Sequence, residues 1–289
     1  MKIEAKNLSK IYKGKRALDQ ISFCLEEPKI YGLLGKNGAG KTTFMQLLAG
    51  MMQPTSGEIL VEKTNPFNNQ RLTESICLIK EGNNFKKDLK IKNVLTISSL
   101  FYPTWDQLLA LKLVDEFSLD INAKVKALSK GMESALGIIV GLASKAPITM
   151  FDEPYIGLDA SARSRFYEIL VEQYQEHKRT IIFSTHLIDE VSLLFEEVLI
   201  FQEGKLLVQE NTDVLRQKCI SISGTIPQIE SFITDKMVID TKQFAGVMTA
   251  VVVGIEIEEA RTNGFTVEGV TIQQLMIYLT SYKGGKIEW

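Results

Sequence analysis

Cysteine, histidine, net charge and long apolar runs are all scarce in this chain, and each scarcity removes a class of protein. Three cysteines, Cys24, Cys77 and Cys219, are scattered through 289 residues with no CxxC pair and no histidine cluster beside them. They form neither a disulfide framework nor a zinc site, and are expected to be reduced and partly buried in a cytosolic protein. A net charge of -2 gives no electrostatic footprint for nucleic acid, and no such partner is expected. The longest apolar-rich runs, 135–143 and 247–255, fall far short of the roughly 20 residues that a bilayer span requires. The opening residues Met1-Lys2-Ile3-Glu4-Ala5-Lys6 alternate polar with apolar and lack the apolar core of a secretory signal. The chain is therefore expected to be soluble by itself, with any membrane role supplied through a partner.

What is present suits a globular protein. Hydrophobic residues make up 45% and charged residues 24%, and the length allows one large domain and one small one with ample core. Residues 2–34 read as short strands with turns at Lys13-Gly14 and Glu27-Pro28. Pro54-Thr55-Ser56-Gly57 is a turn, with a strand at 58–61 behind it. From about 94 to 143 the pattern turns helical, broken at Tyr102-Pro103-Thr104. Two buried strands at 148–151 and 180–184 each lead through a polar turn into a helix, the alternation of a parallel α/β sheet. A strand pair at 197–201 and 205–208 brackets Gly204. Beyond Asn211 the style changes to short strands and helices, with strand-like runs at 218–223 and 247–257 and a closing helix at 272–281. We expect a domain boundary near 211.

The most informative stretch is Gly35-Lys36-Asn37-Gly38-Ala39-Gly40-Lys41-Thr42, which fits GxxxxGK[ST]. Residues 30–34 before it read as a buried strand, and 43–49 after it as a helix with Phe44, Leu47 and Leu48 on its apolar face. Strand, glycine loop and helix start are the context in which this motif binds phosphate. The loop lets successive N–H groups point inward, and the helix adds unpaired donors and its positive dipole end. Lys41 would bring a point charge to the β- and γ-phosphates and Thr42 a hydroxyl ligand for Mg²⁺, with Thr43 completing the phosphate-binding segment. A bound nucleoside triphosphate is the expectation.

The apolar strand 148–151 ends in Asp152 and Glu153. An aspartate at such a strand tip can hold the Mg²⁺ shell, and the glutamate after it can polarise an attacking water as general base. Three further pieces follow in order: Leu128-Ser129-Lys130-Gly131-Met132 at a helix start, Ile156-Gly157-Leu158-Asp159, and Ser184-Thr185-His186. Alone, the first would be a plain helix cap. In this order and spacing, residues 1–210 resemble the ATP-binding subunit of ABC transporters. The resemblance implies a phosphate-loop α/β core with an N-terminal antiparallel β subdomain and a helical subdomain over about 82–145, while the alternating short strands and helices of the tail 211–289 suggest a small α+β accessory domain. It also implies ATP and Mg²⁺ as cofactors. Ser129 and Gly131 would form the signature loop, Asp159 a loop that crosses a dimer interface, and His186 the switch histidine that senses the γ-phosphate. Tyr12 looks like the aromatic that stacks on adenine, a contact every base permits.

The chain departs from the family pattern in two places, the signature loop and the glutamine position. Lys130 and Met132 stand where the signature loop usually has glycine and glutamine, although Ser129 and Gly131 remain. Glu81 stands after the strand 76–80 where the family has a glutamine. A carboxylate ligates Mg²⁺ at least as well but cannot donate when ionised, and we expect Glu81 to report nucleotide state to the helical region. The resemblance further implies head-to-tail pairing, as a homodimer or with a paralogous ATPase. It implies docking to an integral membrane permease through about 82–135, so that the chain sits peripherally on the inner face of the cell membrane. Tyr102-Pro103-Thr104-Trp105-Asp106 with Leu-Ser-Lys-Gly-Met and Glu81 is similar to a subgroup of Gram-positive exporters of bacitracin-type antibiotics and cytolytic peptides such as phenol-soluble modulins. Trp105 is expected to pack inside the helical subdomain. The alternative is a soluble ABC-type ATPase acting on ribosomes or DNA. A single domain without a coiled-coil insertion argues against it. A kinase-like phosphotransferase would not need Ser129, Gly131 or His186.

Overall fold

The computed structural model describes residues 1–282. The chain divides into two compact units, residues 1–186 with 201–206, and residues 187–200 with 207–289. In the first, β1 (Ile3–Tyr12) and β2 (Lys15–Leu25) form an antiparallel hairpin. Its turn residues Lys13 and Gly14 both have positive φ, 44° and 85°, the backbone that matches the strands' right-handed twist. These strands run to 10 and 11 residues, longer than the short strands the sequence suggests. Register shifts between Ala5 and Ile11 let the ribbon bend while its pairing continues. β3 (Ile30–Leu34) leads through the glycine loop into α1 (Lys41–Leu48). β4 (Ser56–Val61) returns to the other side of β1, giving a three-stranded sheet of order β2-β1-β4.

The chain continues through α2 (Gln70–Thr73), β5 (Ile76–Ile79), α3 (Ile91–Phe101), α4 (Gln107–Glu116) and α5 (Lys130–Ala143). β6 (Ile148–Asp152), α6 (Ala160–Glu176) and β7 (Thr180–Ser184) close the unit. Here β5, β6, β7 and β3 lie side by side and parallel, in that order. Every residue of β3, β6 and β7 is buried, which is why they read as continuous apolar runs rather than alternating ones. The register aligns Ile79 with Phe151, Phe151 with Phe183, Asp152 with Ser184 and Leu33 with Ser184. The carboxyl ends of four neighbouring strands are therefore level, and each releases one functional loop on the same edge.

Two aromatic clusters fix that edge from below. Phe44 of α1 packs edge-on against Phe23 and Phe201 with centroids 5.2 and 5.9 Å apart. Phe151 of β6 meets Phe166 of α6 at 5.5 Å and Phe183 of β7 at 6.1 Å. Each such pair contributes about 0.5–1.5 kcal/mol beyond the area it buries. α5 is buried continuously from Ser134 to Ala143 and packs on β5 and β6, so it is apolar all round rather than amphipathic. No helix among the described residues is long and apolar enough to cross a membrane.

The second unit holds α7 (Ile188–Val191) and most of β8 (Glu197–Gln202) and β9 (Lys205–Asn211). There follow α8 (Thr212–Lys218), β10 (Cys219–Thr225), α9 (Ile226–Ile233), β11 (Met237–Phe244), β12 (Val247–Val253), α10 (Ile257–Thr262), β13 (Thr266–Gly269) and α11 (Ile272–Ser281). From β10 onward the order βαββαβ with sheet order β11-β12-β10-β13 is the split βαβ, or ferredoxin-like, arrangement. Its core is its own, built on Ile220, Ile222, Ile229, Met248, Ala250 and Val252. The expected strand run to 257 ends at Val253, because Gly254 turns the chain at φ 78° and α10 begins at Ile257.

Candidate functional site

The glycine loop needs its glycines for reasons visible at Gly40. This residue caps α1 with φ 109°, and a Cβ on it would lie 2.5 Å from the carbonyl oxygen of Ala17. A side chain is excluded by both backbone and neighbour. Lys41 follows with only 7% exposure, its Nζ donating to the carbonyls of Gly35 at 2.6 Å and Lys36 at 3.3 Å. Burial holds its ammonium below the usual lysine value, opposed by the charges of Glu153 and Asp152. An ammonium fed only by carbonyl oxygens is undercompensated, and an anion in the loop would relieve it.

Thr42 donates its hydroxyl to Asp152 Oδ2 at 2.6 Å. Asp152, at the tip of β6, is 5% exposed. This hydroxyl and carboxylate form an all-oxygen pair that fits a small hard cation. Mg²⁺ is held by few protein oxygens and takes its remaining positions from water and phosphate.

These groups open on one cleft of about 480 Å³, lined by Asn37, Gly38, Ala39, Gly40, Lys41, Thr42 and Thr43 on one side and by Glu81, Asp152 and Glu153 on the other. Tyr12, Lys15 and Ala17 of the β1–β2 hairpin form the remaining wall. Tyr12 is 42% exposed, with Lys10 Nζ 5.4 Å from its ring and its hydroxyl donating to Met52 Sδ. Glu153 has a positive φ of 52° and its N–H donates to Ser184 O at 3.1 Å. His186 Nδ1 lies 2.7 Å from Glu153 Oε2. An ionised carboxylate only accepts, so this contact makes Nδ1 the protonated nitrogen.

Ser129, Gly131 and Asp159 do not line this cleft. Ser129 Oγ accepts the Met132 N–H at 3.2 Å and so caps α5, worth about 1 kcal/mol to the helix. Gly131 meets Gly157 backbone to backbone: a Cβ on Gly131 would lie 2.4 Å from Gly157 O. Asp159 accepts the Ala162 N–H at 2.8 Å and caps α6. Lys130 pairs with Glu81 across 3.4 Å, so two of the residues that depart from the family pattern touch each other. Trp105 is half-buried, with its indole N–H on Gln107.

The sequence reading passed over Tyr155. It is 2% exposed, and its hydroxyl meets Glu153, Thr185 and His186 together. A lone tyrosine in a turn gives no spacing signal, and only the level ends of β6 and β7 bring it there.

Comparison with known proteins accords with this geometry. Residues 18–156 match the family described as ABC transporter. An uncharacterised ABC transporter ATP-binding protein of Methanocaldococcus jannaschii is 31% identical over 218 residues, covering 71% of this chain and 75% of that one. The bacitracin transport ATP-binding protein of Bacillus licheniformis is 30% identical over 219 residues, covering 75% and 72%. Among solved structures, an ATP-binding subunit of an ABC transporter has a TM-score of 0.67 at 24% identity, over 75% of this chain and 92% of that one. A dimeric ATP-binding cassette in a post-hydrolysis state with ADP and Pi has a TM-score of 0.63 at 22% identity, over 73% and 98%. The chain belongs to the ABC transporter family, as one of its ATP-binding ATPase subunits.

Proposed function

We propose that this subunit powers export of a drug, antibiotic or amphipathic peptide through a separate membrane permease, hydrolysing ATP in head-to-tail pairs on the inner face of the membrane. The observation that carries the ATPase part is the convergence of Lys41, Thr42, Asp152 and Glu153 on one cleft. Export is supported by the similarity to the bacitracin transport protein together with the subgroup residues Glu81, Tyr102, Trp105 and Lys130.

In this reading Tyr12 stacks on the adenine, while backbone N–H groups from Gly35 to Thr43 and the Lys41 ammonium bind the phosphates. Thr42, Asp152 and Glu81 would hold Mg²⁺, which would supply charge neutralisation to the bound phosphates. Glu153 takes the proton of the attacking water. Both hydrogen bonds to its carboxylate fall on Oε2, which leaves Oε1 for that water. His186 reports the γ-phosphate, and the partner copy brings Ser129 and Gly131, with Asp159 beside the interface. That division explains why those three lie outside the cleft of their own chain.

The permease docks on the helical region over about 82–135. A groove of about 450 Å³ there, walled by Met51, Phe85, Ile97, Phe101 and Tyr102, has the apolar lining that a short permease helix would fill. Residues 211–289 act as an accessory domain that steadies the dimer or tunes the subunit, a role its separate core supports.

The test is affinity purification of the full chain from membranes solubilised in detergent. A permease should co-purify, and ribosomes in its place would overturn the transport reading. Glu153→Gln should bind ATP yet turn over at least about a hundredfold more slowly, the scale of general-base catalysis. Wild-type turnover in that variant would remove Glu153 as the base. Deleting the gene and scoring which compounds become more toxic identifies the cargo.

A further inference from the structure

The hydroxyl of Tyr155 has one proton and two lone pairs, and the structure accounts for all three. A carboxylate accepts only, so the proton goes to Glu153 Oε2. The His186 N–H donates to the phenol oxygen at 3.1 Å. The Thr185 hydroxyl, 2.7 Å away, then acts as the second donor to it. His186 Nδ1 lies 3.3 Å from the same oxygen and 2.7 Å from Glu153 Oε2. The ring is held as firmly as the hydroxyl, stacked on Phe183 with centroids 6.3 Å apart and planes 16° from parallel. Burial, reinforced by the bond to Glu153, keeps the phenol protonated far above its ordinary value, so it remains a donor at every working pH.

The consequence is mechanical. Glu153 follows the end of β6 and has a left-handed backbone at φ 52°, and its side chain extends toward the cleft. Thr185 and His186 belong to the loop after β7. Tyr155 is the one buried side chain among the described hydrogen bonds that joins the Glu153 carboxylate to both residues of that loop. We propose that Tyr155 is a positioning residue: it locks the Glu153 carboxylate and the His186 loop into a single unit, so that Oε1 faces the attacking water and the histidine moves only together with the base. The inference rests on Glu153 being the general base, and it adds a buried residue that does not line the cleft. A tightly satisfied network of this kind resists rotation more than its separate bonds would.

Tyr155→Phe is the test, because it keeps the ring on Phe183 and deletes only the hydroxyl. In the full chain with Mg²⁺-ATP, we expect kcat to fall by about tenfold or more, the cost of a misplaced group, while KM for ATP stays within about twofold, since no ATP contact is lost. A second readout is the ring ¹⁵N spectrum of His186, which is easily assigned because the chain has two histidines and His177→Asn identifies the other. Wild type should show one Nδ1–H tautomer and Tyr155→Phe a mixture. An unchanged kcat overturns the proposal, and so does a lowered kcat with His186 signals unmoved. Glu153→Gln separates the premises: full turnover there removes the base, whereas an inactive Glu153→Gln beside a fully active Tyr155→Phe removes only the role of Tyr155.

Discussion

Glu81 and Lys130 are two of the residues at which this chain leaves its family's pattern, and their 3.4 Å contact ties the two places together. Both side chains are more than half exposed, and such pairs add at most about 1 kcal/mol to stability. Holding the fold together is therefore a poor account of the pair. Because Glu81 lines the same cleft as Thr42 and Asp152, it can instead turn between Lys130 and a cation. A carboxylate serves a hard cation well, and a glutamine carbonyl serves it too. Glu81→Gln should leave the Mg²⁺ concentration for half-maximal turnover within about twofold of wild type, and Glu81→Ala should raise it about tenfold, the scale of losing one polar ligand. Lys130→Ala frees the carboxylate and should lower that concentration slightly. A Mg²⁺ titration of ATPase rate checks all three, and an unmoved midpoint in Glu81→Ala would remove Glu81 from the metal site.

At the scale of elements, the caps carry checkable energy. Asp106 caps α4, accepting the Leu109 N–H at 2.9 Å and pairing with Lys145 at 2.7 Å. The backbone bond from Leu109 and then the Lys145 ammonium hold its carboxyl below the usual aspartate value. A depressed folded value means the contribution is complete above the unfolded pKa near 3.9 and is lost as pH falls through the folded value. Asp106→Ala should cost about 1 kcal/mol at pH 7, and the gap to wild type should narrow in acid below the ordinary aspartate range. Urea midpoints under the two conditions measure it. The same elements show what a sequence can disclose. The glycine loop, the acidic tip of β6 and the closing helix α11 were legible because spacing and periodicity are local properties. The Tyr155 network and the Glu81–Lys130 contact were not, since the first depends on the ends of β6 and β7 brought level by parallel register and the second on the start of α5 meeting the loop after β5. The true lengths of β1 and β2 depend on bulges that no local pattern marks.

At the scale of the molecule, the distribution of site residues makes an argument of its own. Lys41, Asp152 and Glu153 share a cleft, whereas Ser129 caps α5 outside it and Gly131 sits against Gly157 of the same chain. If ATP is clamped between two copies head to tail, a two-fold axis gives each dimer two sites, each using Lys41 of one copy and Ser129 of the other. Lys41→Ala and Ser129→Arg chains should each be inactive as homodimers. Mixed, they form heterodimers in which one site has both lesions and the other has neither. With random pairing half the dimers are mixed, so turnover should return to about a quarter of wild type for independent sites. Steady-state ATPase on an equimolar mixture, at a concentration where Glu153→Gln elutes as an ATP-dependent dimer in gel filtration, decides it. A mixture as inactive as its components, at a concentration where pairing is observed, would mean that Lys41 and Ser129 act on one ATP from the same chain. The head-to-tail clamp would then be wrong.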